Sequence, residues 1–158
     1  MTSTEPTPSS GAQSPQDAAL ADAIAAEHAT IYGYGFVSAH SDRNDLVTDS
    51  LTEHRARRDA AIAMLAARSV SAPVAAAGYQ LPMTVANAGD AAALALRMES
   101  DDAEAWREVI ERATAPQDRT FAVTALTQCA VRAARWRQAL GAWPLTVPFP
   151  GGNELSSG

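Results

Sequence analysis

The chain has 158 residues and a mass of 16.5 kDa, which suits one domain. Its formal net charge is −6, so it lacks the basic surface that nucleic-acid binding needs, and its single cysteine excludes an internal disulfide. No apolar run reaches the roughly 20 residues that cross a bilayer, which argues against a membrane protein. Hydrophobic residues make up 47% of the chain and alanine dominates them, which favours an all-α fold.

The N-terminal segment is rich in Ser, Thr, Pro and Gly. It has neither the positive region nor the apolar region of a secretory signal, so we expect a cytoplasmic protein. Residues 1–14 should form a disordered arm, residues 15–152 the folded domain, and residues 153–158 a second disordered end.

Two helices with polar groups in their apolar seams are predicted first. Ser14 and Pro15 are typical of a helix start, and this helix should end near His40. Its seam repeats at intervals of four and three residues: Leu20, Ile24, Glu27, Ile31 and Tyr34. After a short turn, a second helix is predicted from about Asn44 to Arg68. Its seam is Val47, Leu51, His54, Arg58, Ala61 and Leu65.

A long connection and two more helices follow. Proline and glycine interrupt residues 69–89, which predicts a crossover along the length of the bundle. The third helix should span about Asp90 to Thr114, and the fourth about Pro116 to Leu140, ended by Gly141. The predicted inward residues of these two helices are Leu94, Met98, Asp101 or Asp102, Ala105, Val109, Ala122, Leu126, Cys129, Ala133, Trp136 and Leu140.

This order of elements predicts an all-α, ferritin-like four-helix bundle, in which two antiparallel hairpins are joined by one long crossover. The proline-rich tail after the fourth helix should lie extended against the bundle surface.

The carboxylates and histidines in these seams are residue types that bind metal ions, so the sequence was compared with the ligand pattern of a metal site. A di-iron bundle needs one Glu from each of two helices and Glu-x-x-His from each of the others. The second helix lacks that motif, and the fourth has no Asp, Glu or His between Thr120 and Leu140. A complete di-iron centre is therefore not expected. A partial site for one iron or manganese ion has four candidate ligands: Glu27, Glu53, His54 and a carboxylate of the third helix, either Glu99 or Asp102.

A purely structural interpretation explains the same residues. Glu27 faces a helix that carries Arg57 and Arg58, and a buried carboxylate beside a guanidinium needs no metal. Cys129 fits a small hydrophobic core position. A third interpretation is a small-molecule pocket between helices, where alanine and glycine leave room, but no residue pattern identifies a ligand.

The assembled segments resemble the actinobacterial ferritin-like domain of unknown function. The matching segments are AEHATIYGYG (26–35), EHRARRD (53–59), AARWR (133–137) and VPFPG (147–151), within an overall coverage of residues 17–152. The resemblance implies a ferritin-like bundle with no established activity. Ferritin-like relatives store iron, reduce peroxide or activate oxygen, and only Glu27 and Glu53 align with their ligand positions.

These observations favour a non-enzymatic bundle with a degenerate metal site and no assigned catalytic residue. We expect it to act through its surface as a homodimer, with contacts from Gly33–Gly35 and from the apolar tail. The alternative is a metal-dependent oxidoreductase that uses the partial iron or manganese site.

Overall fold

The computed structural model describes residues 13–152, and all regular secondary structure in that range is helical. The helices are α1 (Pro15–His40), α2 (Asn44–Ala66), α3 (Ala88–Arg112) and α4 (Pro116–Leu140). The all-α prediction is confirmed. The ends predicted to be disordered, residues 1–14 and 153–158, lie outside the described residues except for Gln13 and Ser14. No described helix combines the length and the apolar character needed to span a membrane.

Local signals explain where the helices begin and end. The side chain of Ser14 accepts a hydrogen bond from the Asp17 amide at 3.2 Å, as predicted for an N-cap. Asn87 caps α3 in the same way, so this helix starts two residues earlier than expected. Ser69 has a φ of +58°, which fits an α2 that ends before Arg68. Gly141 ends α4 with a φ of +67°, as predicted.

The connectivity is a hairpin, a crossover and a second hairpin. Helix α1 packs against α2 and α3, and α3 packs against α4. Gln16, near the start of α1, accepts a hydrogen bond from the Thr114 amide just beyond the end of α3, so these two helices are antiparallel. Helices α2 and α3 are therefore parallel, and residues 67–87 must travel the length of the bundle. The prediction of a long crossover is confirmed, and His28 contacts this segment at the Pro73 carbonyl, 3.1 Å away.

The core has two apolar layers with a polar layer between them. One layer surrounds Leu20, Ile24 and Trp106, and the other surrounds Val37 and Trp136. Glu27 and Thr30 lie between these layers along α1, and both are buried. The polar layer is consequently shielded from water at both ends of the bundle.

The register of α2 differs by one residue from the prediction at two positions. Arg57 is buried in place of Arg58, which pairs with Asp59 at the surface, and Ser50 is buried in place of Leu51. In a helix of 3.6 residues per turn, the residues three and four positions from His54 lie on either side of the line through His54 along the helix, so either one can face the interior. Arg57, and not Arg58, is the buried residue because its guanidinium pairs with Glu27 on α1. On the other helices Ile31, Ala105 and Leu126 are half-buried, and Leu140 is exposed.

An ion-pair clamp closes the end of the bundle where α1 and α4 begin. Arg68 lies just beyond α2 and pairs with Asp17 at 2.7 Å and with the buried Asp118. Because both aspartates occupy first helical turns, the clamp also complements the two helix dipoles.

Candidate functional site: a buried charge cluster

The polar layer is built from pairs of side chains three residues apart on three helices. This spacing puts both members of a pair on one helix face. Each side chain lies in the interior, and the least buried of them, Arg57, is 4% exposed. The pairs are Glu27 and Thr30 on α1, His54 and Arg57 on α2, and Glu99 and Asp102 on α3.

His54 lies at the centre of the cluster, between carboxylates. Its Nδ1 is 2.7 Å from Glu27 Oε2 and 3.3 Å from Asp102 Oδ2, and its Nε2 is 3.1 Å from Glu99 Oε1. Each ring nitrogen must carry a proton to donate to Glu27 Oε2 and Glu99 Oε1, which makes the ring an imidazolium. Burial alone would lower the pKa of His54, but the hydrogen bonds to Glu27 and Glu99 outweigh it and raise the pKa to about 10.

Glu27 is saturated with donors. Its Oε1 accepts from Arg57 Nε and from Trp106 Nε1, each at 2.7 Å, and its Oε2 accepts from His54. Burial would raise the pKa of this carboxyl, but the hydrogen bond from His54 and the two neighbouring cations hold it below its usual value. Glu27 is therefore an ionised carboxylate with three fixed hydrogen bonds.

Arg57 ties the cluster to the fourth helix. Its Nη1 donates to the backbone carbonyl of Ala125 at 3.2 Å and to Gln128 Oε1 at 3.1 Å. Its Nη2 lies 3.0 Å from His54 Nδ1. Because His54 Nδ1 already carries the proton that it donates to Glu27, this last contact brings two cations together. The carboxylates around them must offset that repulsion.

The two carboxyl groups of α3 are only half satisfied. Tyr34 donates to Glu99 Oε1 at 2.6 Å, and Thr30 donates to Asp102 Oδ1 at 3.1 Å. Trp136 in turn donates to the Tyr34 hydroxyl at 2.9 Å. Glu99 Oε2 and Asp102 Oδ2 have no hydrogen-bond partner among the described residues. Burial and the charge of Glu27 raise the pKa of Asp102 well above its ordinary value, which favours the protonated form of this carboxyl.

The structure brings together three of the four residues proposed as metal ligands. Glu27, His54 and Glu99 meet at the centre, whereas Glu53 accepts a hydrogen bond from Arg132 of α4 at 2.9 Å and is partly exposed. Glu53 directly precedes His54, and adjacent helical side chains point about 100° apart, so both cannot face one centre. Asp102 of α3, which the sequence analysis named as an alternative to Glu99, lies beside Glu27 and His54 where Glu53 was expected.

These residues offer one compact set of candidate ligand atoms. One atom each from Glu27, His54 and Asp102 lie within 4.8 Å of one another. Carboxylate and imidazole donors suit iron or manganese. The ring of His54, however, would first have to lose a proton.

Sequence reasoning did not identify the aromatic donors of the cluster. Tyr34 and Trp136 were predicted only as inward-facing residues, with no role as hydrogen-bond donors, and Trp106 was not predicted to face the cluster. The spacing of Glu99 and Asp102 was the available signal for the half of the cluster on α3, because two acids three residues apart share a helix face.

Comparisons with known proteins agree on the extent of the fold and are silent on activity. Residues 19–154 match the family described as a domain of unknown function, DUF4439. The chain is similar to a conserved hypothetical protein, rv2844, from Mycobacterium tuberculosis, whose crystal structure has 62% sequence identity and a TM-score of 0.80. That similarity covers 86% of this chain and 97% of the other. No curated protein matches the chain.

Proposed function

The chain belongs to the DUF4439 family, and we propose that it is a non-enzymatic, ferritin-like bundle in which a buried ion-pair network occupies the place of a metal centre. The observation that carries this proposal is the position of His54. Both of its ring nitrogens face carboxylates, so it contributes a positive charge where a metal-binding bundle would have a metal ion.

The charges of the network balance without a metal. His54 and Arg57 are the two cationic groups, and the carboxyl groups of Glu27 and Glu99 accept their hydrogen bonds. Burial and the charge of Glu27 raise the pKa of Asp102, which favours the neutral form of this third carboxyl group. A buried cluster with no net charge avoids the large desolvation cost of an isolated ion.

A divalent cation would have to work against this arrangement. Metal ligands must be deprotonated, so binding would remove the proton of His54 against a pKa of about 10. The guanidinium of Arg57 would remain within 3.0 Å of the ligand ring and would repel the cation. Glu27 would also have to give up hydrogen bonds to Arg57 or Trp106.

The test is metal content measured on protein purified without an affinity tag, followed by anaerobic titration with iron(II) and manganese(II). We expect no stoichiometric metal and no saturable binding at micromolar concentration. One equivalent of bound metal, lost in Asp102→Asn but retained in Glu53→Gln, would overturn the proposal. The second variant is a matched control, because Glu53 lies outside the cluster.

The second candidate function is a metal-binding oxidoreductase that uses Glu27, His54, Asp102 and Glu99. The unpartnered oxygens Glu99 Oε2 and Asp102 Oδ2 favour it, since buried polar atoms without partners are uncommon in folded proteins. The metal titration described above decides between the two functions. If metal binds, oxygen and peroxide consumption by the metal-loaded protein become the next assays.

We further propose that the protein is a cytoplasmic homodimer that acts through its surface. Gly33 does not support the proposed contact at Gly33–Gly35, because it faces the side chain of Met98 on α3. A Cβ added at Gly35 would meet open space, and the tail carries exposed apolar side chains. Sedimentation equilibrium at micromolar concentration should give a dimer mass, and a monomer at every concentration would rule this part out.

A further inference from the structure

A groove runs between α3, α4 and the C-terminal tail, with a volume of about 950 Å³. Small residues of the two helices, among them Ser100, Ala130 and Ala134, line it on one side, and the tail from Leu145 to Gly152 lines it on the other. Gly151 anchors the tail with a φ of +74° against the backbone carbonyl of Ala103, where a Cβ would collide. The tail is therefore a fixed wall of the groove.

The groove and its rim expose apolar side chains. Phe149 lines the groove and is 77% exposed, and Val131 on α4 lines it and is 48% exposed. Trp143, two residues before the tail wall begins, is 83% exposed. Large apolar side chains that cluster on one exposed face mark interaction sites more often than single scattered ones do.

The charged residues of the groove have opposite signs in its two halves. Trp106 packs against Phe121, so Glu104 lies level with the first half of α4. Arg135 and Arg137 line the groove in the last two turns of the same helix. Among the described residues, neither these two arginines nor Glu104 takes part in any of the ion pairs, whereas the exposed Arg97 and Asp101 between them pair with each other.

This distribution fits a second copy of the same chain. A two-fold axis perpendicular to the groove reverses its direction in the partner. The positive half of one groove then faces the negative half of the other, and the exposed Phe149 and Val131 of each copy are covered by its partner. The arginine-bearing end of each groove then lies near Glu104 of the other copy, and this happens twice per dimer.

We propose that the face formed by α3, α4 and the tail is the dimer interface of this protein. This inference rests on the homodimer of the proposed function and adds the surface that it uses. The charge cluster lies in the bundle interior, and Glu99 is the member of it that also lines the groove.

The test is a charge-reversal series followed by sedimentation velocity. Arg135→Glu with Arg137→Glu should weaken the dimer roughly tenfold or more, because the substitutions replace attraction to Glu104 by repulsion at both ends of the interface. Adding Glu104→Arg to that double variant should restore association. The control is Arg55→Glu with Arg58→Glu on α2, which makes the same charge change outside the groove and should leave the dimer intact.

The outcomes separate the interface from the dimer itself. A wild-type dimer that the groove double variant does not weaken, or that the α2 control weakens equally, overturns the proposed face and leaves the homodimer standing. A monomer at all concentrations overturns both. A dimer that forms only after deletion of residues 153–158 also overturns the proposal for the full chain.

Discussion

Glu27→Gln tests most directly whether the buried cluster stabilises the fold. The substitution keeps the size and shape of the side chain and removes its charge. In the wild type Glu27 accepts three hydrogen bonds, from His54, Arg57 and Trp106. The glutamine oxygen can still accept from Arg57 and Trp106. Its amide group then faces His54 Nδ1, so that two donors oppose each other where a 2.7 Å hydrogen bond stood.

The size of the effect follows from these contacts. Hydrogen bonds to charged groups contribute about 1.5–3 kcal/mol each, and Glu27 makes two of them to cations. Breaking a buried ion pair by removing one partner costs about 3–5 kcal/mol, because the other partner stays buried and uncompensated. We therefore expect the free energy of unfolding to fall by about 3–5 kcal/mol, a large share of the roughly 5–15 kcal/mol typical of a domain.

The assay is urea denaturation of both proteins, followed by far-ultraviolet circular dichroism. Glu53→Gln provides the matched control, since the same chemical change occurs one residue from His54 but in a partly exposed pair with Arg132. That control should lose less than about 1 kcal/mol. A loss below about 1 kcal/mol for Glu27→Gln as well would refute the idea that the cluster is a stabilising ion-pair network.

Three further changes probe other parts of the fold. The pKa of His54 is raised from 6.5 to about 10, so its contribution to stability is full below pH 6.5 and is lost as the pH rises toward 10. Urea titrations across this range should show a decline that His54→Gln flattens, and an unchanged slope in the variant would contradict the assignment. Gly33→Ala places a methyl group against the flexible thioether of Met98, and alanine gains about 1 kcal/mol over glycine inside a helix, so thermal melts should show a net loss of only about 0–2 kcal/mol, with a less than additive cost when combined with Met98→Ala. Arg68→Ala leaves two aspartates without their shared partner and should cost about 1–3 kcal/mol, whereas Arg112→Ala, in an exposed pair within α3, should cost less than about 1 kcal/mol.

The architecture could be predicted from local signals. Ser14, Gly141 and the proline that opens α4 act within one helical turn of their own positions, and the boundaries of α1 and α4 follow from them. The interrupted stretch after α2 was too long for a hairpin turn, which left a crossover as the remaining connection. Such signals need no knowledge of how the helices pack.

The composition of the site depended on interhelical geometry and was only partly predictable. Glu27 and His54 occupy mid-seam positions, so they could be identified from spacing alone. The preference for Arg57 over Arg58 is set by Glu27 on another helix, and a pattern within one helix cannot resolve it. The hydrogen bonds from Trp106 and Trp136 join residues that are 79 and 102 positions apart in sequence. The spacing of residues within one helix cannot predict such contacts between helices.

The polar layer also restricts how far the helices can slide past one another. The seams around it are rich in alanine, whose short side chains form shallow ridges and leave several alignments of similar packing energy. Moving α2 by one turn along α1 would shift it by about 5.4 Å and separate His54 from every carboxylate that contacts it. A variant with apolar residues in place of Glu27, His54, Arg57, Glu99 and Asp102 should therefore stay helical but show broad, heterogeneous amide resonances, and sharp, uniquely dispersed resonances would refute this role in alignment.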